Sequence, residues 1–518
     1  GEAAGTGDDA PTKGEPAKTK ETTKPDAPAA TKKDEPAGAA PKVEPNAGEG
    51  KTKAAPKAEE SQAKTDPKAE GAQLTADAGG GSSAAPEQQP KADPPAETAQ
   101  QKAETKTEAS QAPAQAAQQP ATPPTQQAAQ ATEPAFVDVA TEFDDDRKPR
   151  LHTGGNVLIK DATILTVSDK GTIPQGSILV KDGKIVAVGT QVDAPEGVTV
   201  IDAKGLVAMP GIIDTHSHMA IQGGVNEMSL SIVPEVRVKD VVTSDDPTIY
   251  RSVAGGTTAA RLLHGSANTI GGQDAVIKLR YGQGGRDMII RDGAQGVKFA
   301  LGENVTRRTG RFPNTRMGVE ATIERAFEEA RAYKTMMDDY NAKKSKGQPV
   351  PPPRRDLRLE ALAGVLDDSI KVHSHCYRSD EILMLLRVAS RHGVRIQSLQ
   401  HVLEGYKVAA EIAAHGASTS TFSDWWAYKI EAFDAIPYNS ALLVEAGARV
   451  CIKSDDEELG RHLYHEAAKM VKYGNVTEAQ ALEMITMNPA RQLGLEHRLG
   501  SIEVGKDADI VLFNAHPF

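Results

Sequence analysis

Two histidines one residue apart, His216 and His218, close the run Gly211-Ile212-Ile213-Asp214-Thr215. In an extended strand residues i and i+2 project from the same side, so both imidazoles can converge on one ion. Imidazole suits Zn²⁺ and related first-row metals. Three later runs also end in ligand types: Lys371-Val372-His373-Ser374-His375, Leu399-Gln400-His401 and Cys451-Ile452-Lys453-Ser454-Asp455. Each is weak alone. A lone His-x-His more often holds one structural and one exposed histidine, and a Ser-Asp after an apolar run is usually a helix cap. Four strand ends carrying ligand types in one order make a single metal pocket the better reading. His373 and His375 share a face, so spacing alone leaves either of them as the ligand.

The elements that must position these side chains follow from periodicity. Gly211–Thr215, Thr257–Leu263, Ala275–Leu279, Gly296–Leu301, Ile370–His373, Arg395–Gln400, Ala417–Thr421 and Arg449–Lys453 read as strands. Helical stretches lie between many of them. Val319, Ile323, Ala326, Phe327 and Ala330 share one helical face, as do Ile382, Leu383, Leu386 and Ala389. Thr477-Glu478-Ala479-Gln480 is a capping-box start. This alternation predicts an α/β fold, a TIM-like (β/α)₈ barrel over residues 209–495 with its ligands at the carboxyl ends of the strands. Met219–Ser252 shows no period and reads as a long insertion after the first barrel strand. Short β-rich runs from Asn156 to Asp202, with a hairpin signal at Asp182-Gly183, predict the first part of a small β-sandwich domain over 151–208. Gly500 to Phe513 returns to β character, so residues 496–518 are expected to supply its return strands, with the barrel inserted between.

Composition bounds the rest. Of the 518 residues, Gly1 to Ala135 contain no Phe, Trp, Tyr or Ile, one Leu (Leu74) and one Val (Val43). Such a chain buries too little apolar surface to offset an ordering entropy of roughly 1–2 kcal/mol per residue. Residues 1–150 therefore read as a disordered Ala/Pro/Lys/Glu-rich low-complexity segment, an extended spacer. The net charge of −11, with Lys and acidic residues alternating in the spacer, excludes a block suited to nucleic acid. No run of ~18 apolar residues spans a membrane. The chain starts at Gly, and the spacer suits export to a periplasm or cell envelope; a cytoplasmic enzyme with a solubilising extension is the alternative. Cys376 and Cys451 give no disulfide framework. The expected partner is a small-molecule substrate, and a homo-oligomer is compatible with the barrel.

Pro210-Gly211-Ile212-Ile213-Asp214-Thr215-His216-Ser217-His218 resembles the first-strand motif of the amidohydrolase superfamily. Asn488-Pro489-Ala490-Arg491-Gln492-Leu493-Gly494, followed by Gly500-Ser501-Ile502-Glu503-Val504-Gly505-Lys506-Asp507-Ala508-Asp509, resembles its carboxy-terminal motif. The resemblance covers roughly Val157 to Phe518 and is greatest to imidazolonepropionase-like and prolidase-like members. It implies a divalent metal, zinc by donor type, as one or two ions. The implied ligands are His216, His218, His373, His401 and Asp455. Lys298 in Val297-Lys298-Phe299 matches a strand-four lysine that is carboxylated and bridges two metals in binuclear members, with Glu303 as the competing carboxylate. On this alignment His375 becomes a substrate-pocket residue.

The chemistry implied is hydrolysis of a C–N bond in an amide, cyclic amide or peptide-like substrate. A metal lowers the pKa of a bound water from ~15.7 to about 7. Asp455 would carry the proton to the leaving nitrogen, and His401 or His375 would stabilise the oxyanion. Trp425 and Trp426, on the loop after the seventh strand, make an aromatic wall for substrate or else pack the loop down. Arg251, Arg261, Arg280 and Lys298 lie near barrel strands and would meet a substrate carboxylate. A heterocycle deaminase on the same barrel is the first alternative; Ser374-His375-Cys376 offers no Glu after His373, which counts against it. A non-catalytic scaffold is the second, and the retained ligand set counts against that.

Overall fold

The computed structural model describes residues 145, 147–307, 310–423, 425 and 427–518. Nearly all of the expected disordered segment 1–150 lies outside the described residues. Ordered strands begin with β1 (Val157–Leu165), β2 (Thr172–Lys181), β3 (Lys184–Gly189), β4 (Thr199–Asp202) and β5 (Val207–Pro210). The β2–β3 turn has positive φ at both Asp182 and Gly183, the backbone twist that a two-residue hairpin requires.

The site-bearing strands follow. They are β6 (Ile212–Ser217), β7 (Thr257–Leu262), β8 (Ile270–Gln273), β9 (Ala275–Lys278), β10 (Gly296–Ala300), β11 (Lys371–Cys376), β12 (Ile396–His401), β13 (Ser418–Thr421) and β14 (Val450–Ile452). One sheet runs β14-β13-β12-β11-β10-β8 and another β6-β7-β9. The pairs β6–β7, β10–β11, β11–β12, β12–β13 and β13–β14 are parallel. The run Ala275–Leu279, expected as a third parallel strand, instead contains β9, which pairs antiparallel to β7, while β8 pairs antiparallel to β10. Only Asp274 separates β8 from β9, so the two run on in one direction as a single reversed strand set against β10 and β7. At the other margin, Asp455 N donates to His216 O at 2.8 Å, tying the end of β14 to β6.

Helices cover these strands as their apolar faces direct. Val319, Ile323, Ala326, Phe327 and Ala330 are all buried in the helix Met317–Ser345. Phe327 stacks on Phe299 of β10 with ring centroids 6.0 Å apart. Burial of rings this size contributes about 1.5–3 kcal/mol each. The helix Glu478–Ile485 starts on the full Thr477/Gln480 capping box. Met219–Ser252 has few regular elements, chiefly the turn Val238–Asp240 and the start of the helix Pro247–Ala254. It is held by backbone bonds such as Val233 N to Ile270 O at 2.9 Å.

After the site-bearing strands and their helices comes β15 (Ile510–Phe513), antiparallel to β5. The resulting sheet, β15-β5-β1-β2-β3 with β4 on β1, is one six-stranded mixed sheet rather than the two separate sheets expected of a sandwich. The cause lies in β1. It has shifted register around Asp161, whose φ is +62°, and pairs with β4 before that point and with β5 after it. A bulge of this kind bends the strand, and the bent sheet closes over its own core of Ile159, Ile164, Ile178, Val180 and Ile502.

Asp507 fastens this sheet to the site-bearing strands. Its carboxylate takes Lys278 of β9 at 2.5 Å, Arg498 at 2.7 Å, and Lys184 of β3. Burial raises its pKa, but these three partners overturn that and hold it well below the usual carboxylate range. Asp507→Ala is therefore expected to destabilise the protein by about 2–3 kcal/mol in urea unfolding, less than the ~3–5 of a fully buried pair because Lys184 is half exposed. The depressed pKa also fixes a sign. The contribution is complete above the ordinary Asp range near 4 and is lost as pH falls towards the folded value. The difference between parent and variant should accordingly narrow below about pH 4.

Candidate active site

Strand register sets the heights of the candidate ligands. Lys298 sits beside His373, Ala300 beside His375, and Cys376 beside His401. His373 thus lies one side-chain layer below His375, although both point inward. The upper layer meets His216, His218, His401 and Asp455. Asp455 Oδ1 lies 3.1 Å from His216 Nε2 and 3.2 Å from His218 Nε2. Its other oxygen lies 3.4 Å from His401 Nδ1. The His401 ring is 4.9 Å from that of His216 and 4.5 Å from that of His375, centroid to centroid.

His373, expected as the fifth-strand ligand, is instead packed beneath this group. Its Nδ1 faces Ser398 Oγ at 2.6 Å, and Arg261 and Asp274 enclose the rest of the ring. His375 takes the upper position on β11. Two residues along a strand preserve the face but advance by nearly 7 Å, and that step decides which ring reaches the other ligands. Arg261 is fully buried against His373 and Asp274, so its expected encounter with a substrate carboxylate is excluded.

The backbone is forced at two of these residues. His401 has φ +67° and Asp455 φ +58°, a region that non-glycine residues seldom occupy and that concentrates at functional sites. Asp214 supports the second bend. Its carboxylate accepts from Ser454 N at 3.1 Å, Ser454 Oγ at 2.5 Å and His216 N at 3.0 Å. Burial pushes the Asp214 carboxyl up to about 6 despite these donors.

Electrostatics sort the groups. Burial, with Lys298 and Lys453 as cationic neighbours, drives the His216, His375 and His401 imidazoles well below their ordinary pKa, so they are neutral at pH 7. Burial raises the Asp455 carboxyl, but Lys453, His216 and His401 outweigh it and keep the group ionised. Lys298 Nζ lies 3.2 Å from His216 Nε2, and burial pushes its amine down to about 7.

Neutral imidazoles around one carboxylate are what a divalent ion requires. Among the described residues, one donor atom each from His216, His218 and Asp455 all lie within 4.8 Å of one another. His401 Nε2 and His375 Nδ1 are buried without hydrogen-bond partners, leaving lone pairs or N–H groups free for a ligand. The donor set fits a metal. A cavity of about 470 Å³ lined by His218, Thr248, Arg251, Asp455 and the acidic run Asp456–Glu458 opens beside it.

Other expected residues fall at the rim. Glu303 is engaged by Lys429 at 3.2 Å and by Arg307, away from the metal corner. Trp425 stacks near Phe422 at 4.8 Å and meets Tyr428 edge-on at 6.0 Å. Tyr428 in turn donates to or accepts from Tyr377 at 2.9 Å. Trp426 lies outside the described residues. Lys453 and Asn304 were not expected. Lys453 Nζ sits 2.8 Å from His401 Nδ1, 3.3 Å from Asp455 Oδ2 and 4.2 Å from the Phe422 ring centre. Its place two residues before Asp455 was the available signal. Asn304 Nδ2 approaches His375 Nε2 at 3.3 Å; nothing in its sequence context marks it.

Comparison with known proteins places the chain. A family model described as "Amidohydrolase family" matches residues 207–518. Amidohydrolase tasK of Hapsidospora irregularis is 31% identical over 348 residues, 61% of this chain. The chain spans 35% of that relative's length. An imidazolonepropionase of Thermoplasma volcanium is 21% identical over 332 residues, covering 61% of this chain and 79% of its own. A crystal structure of an amidohydrolase from Thermotoga maritima superposes with TM-score 0.64 at 32% identity, covering 70% of this chain and 94% of that one.

The geometry at Asp455 Oδ1 carries a direct test. Asp455→Ala is expected to weaken Zn²⁺ binding by more than about 100-fold, since even outer partners of metal ligands contribute 10–100-fold. Chelator competition reads this, and parental affinity in the variant would remove His216, His218 and Asp455 as the metal corner.

Proposed function

The chain belongs to the amidohydrolase family, and we propose that it hydrolyses a carbon–nitrogen bond in an amide, cyclic amide or peptide-like substrate with a divalent metal held by His216, His218 and Asp455. The observation that carries this reading is the convergence of two imidazoles on one oxygen of an ionised carboxylate. When bound, the metal, zinc by the imidazole-rich donor set, supplies Lewis acidity towards water and a substrate carbonyl. The parallel strands, the reversed β8–β9 run between β10 and β7, and the Asp455–His216 link support a closed barrel in which one of eight strands is reversed. The ligands then share the carboxyl ends of the parallel strands, the usual location of such sites. Lys298 borders the same corner, and its lowered basicity leaves a neutral amine available for carboxylation, the form in which it would be a ligand.

Proton transfer falls to Asp455. It is the one carboxylate in the group, it is ionised, and it stands within reach of water at the metal corner and of the leaving nitrogen. His375 and His401, with a free ring nitrogen each, are placed to donate to an oxyanion. Lys453 holds His401 from behind and offsets the charge of Asp455. The wall of Phe422, Trp425, Tyr428 and Tyr377 suits an apolar or ring-bearing portion of the substrate.

Asp455→Asn is expected to lower turnover by roughly 10²–10⁴-fold with metal still bound, the usual contribution of a positioned acid–base group. Dipeptides, N-acyl amino acids and cyclic amides form the panel; near-parental rates in a metal-loaded variant would remove Asp455 as the proton carrier. Trp425→Ala should raise KM with little change in kcat if the aromatic wall binds substrate uniformly. An unchanged KM across the panel would return Trp425 to a loop-packing role.

A further inference from the structure

Beneath the ligand layer a line of hydrogen bonds crosses the interior, and it begins on His216. His216 Nδ1 lies 2.9 Å from Gln400 Oε1. The hydrogen between them belongs to the ring, because an amide oxygen only accepts. The other end of the Gln400 amide faces two hydroxyls. Its nitrogen donates to Ser398 Oγ at 2.7 Å and reaches Ser420 Oγ at 3.4 Å. On the far side of the His216 ring, Nε2 faces Asp455 Oδ1 at 3.1 Å and Lys298 Nζ at 3.2 Å, at the metal corner itself. The Nδ1 end therefore sets the tautomer that a metal needs, hydrogen on Nδ1 and lone pair on Nε2.

The line continues past Gln400. Ser398 Oγ, having accepted from Gln400, also bonds His373 Nδ1 at 2.6 Å. Arg261 Nη1, which can only donate, faces His373 Nε2, and Asp274 Oδ2 lies 3.6 Å from the same ring atom. Arg261 Nε lies 3.4 Å from the same oxygen. Asp274 Oδ1 is occupied by Gly296 N at 2.9 Å. Every side chain in this line is buried, so none can exchange its partner for water.

We propose that Gln400 is a positioning residue that holds His216 with its Nε2 lone pair aimed into the metal corner. Ser398 and His373, anchored on the Arg261–Asp274 pair, keep the Gln400 amide from turning over. A turned amide would present N–H groups to Nδ1, draw the ring's hydrogen to Nε2, and block that atom as a ligand. Metal-binding histidines commonly give their other N–H to a carboxylate or carbonyl, and such partners contribute roughly 10–100-fold in affinity. In this protein a side-chain amide from β12 takes that part. His373 thereby has a role that is neither ligand nor inert packing.

The inference rests on the metal reading above, and the experiment separates the two. Zn²⁺ affinity is measured by chelator competition on the full chain and on Gln400→Leu, Gln400→Glu and Ser398→Ala, each checked for folding by circular dichroism. Gln400→Leu should weaken binding by roughly 10–100-fold. Gln400→Glu, which restores an acceptor opposite Nδ1, should stay within a few-fold of the parent. Ser398→Ala should show a smaller loss than Gln400→Leu. Parental affinity in folded Gln400→Leu, or equal losses in the Leu and Glu variants, would overturn the proposal while leaving the metal site standing. If the Gln400 variants do not fold, unchanged affinity in Ser398→Ala overturns it and a loss supports it. A parent chain that binds no Zn²⁺ overturns the metal reading and this one together.

Discussion

The two oxygens of Asp455 face opposite ways, and the rest of the site is arranged around that division. One meets His216 and His218, and the other meets His401 and Lys453. Taking a carboxylate this far from water is unfavourable unless its oxygens are satisfied. Lys453 supplies the opposing charge from the same strand, and neutral imidazoles supply the remaining contacts. A backbone bent to positive φ is needed to bring the carboxylate to that point. Asp214 and Ser454 hold the bend, and the Asp455 N–H tied to His216 O fixes its distance from β6.

That requirement propagates into the interior. Small polar residues fill the space below the ligands where aliphatic side chains would ordinarily stand. Ser398, Gln400, Ser418, Ser420 and Gln492 are all buried and mutually bonded. A polar interior is tolerable only when its members satisfy one another. Its aliphatic counterpart lies outside the strands, where Phe299, Phe327, Ile382 and Leu385 join a single large cluster. The strands are thus polar on the inward face and apolar on the outward one, a pattern that places stability outside and chemistry inside.

Much of this was legible in the residues. Alternation exposed the helical faces, the capping box and the Asp182-Gly183 turn, and the four ligand-bearing strand ends stood out because imidazole and carboxylate recur after apolar runs. Three features were not legible, each for a physical reason. A period of two identifies a face and is silent on height, so His373 and His375 could be separated only by inter-strand register. The direction of a short strand is not encoded in its composition, so Ala275–Leu279 could be seen to run backwards only from its antiparallel pairing with β7. Gln400 and Lys453 carry no motif of their own; their roles come from partners distant in sequence that register brings alongside.

The pairing of β5 with β15 has a bearing on how the chain is made. β5 immediately precedes the first ligand-bearing strand and pairs with β1 on one side, yet its other neighbour, β15, follows all the other described strands. Until then β5 has an open edge, and Asp507, the bond that fastens the bent sheet, is not yet synthesised. Contacts so far apart in sequence form slowly, and open strand edges invite mispairing while they wait. On the ribosome this body would therefore wait for β15 with that edge of its first sheet unpaired.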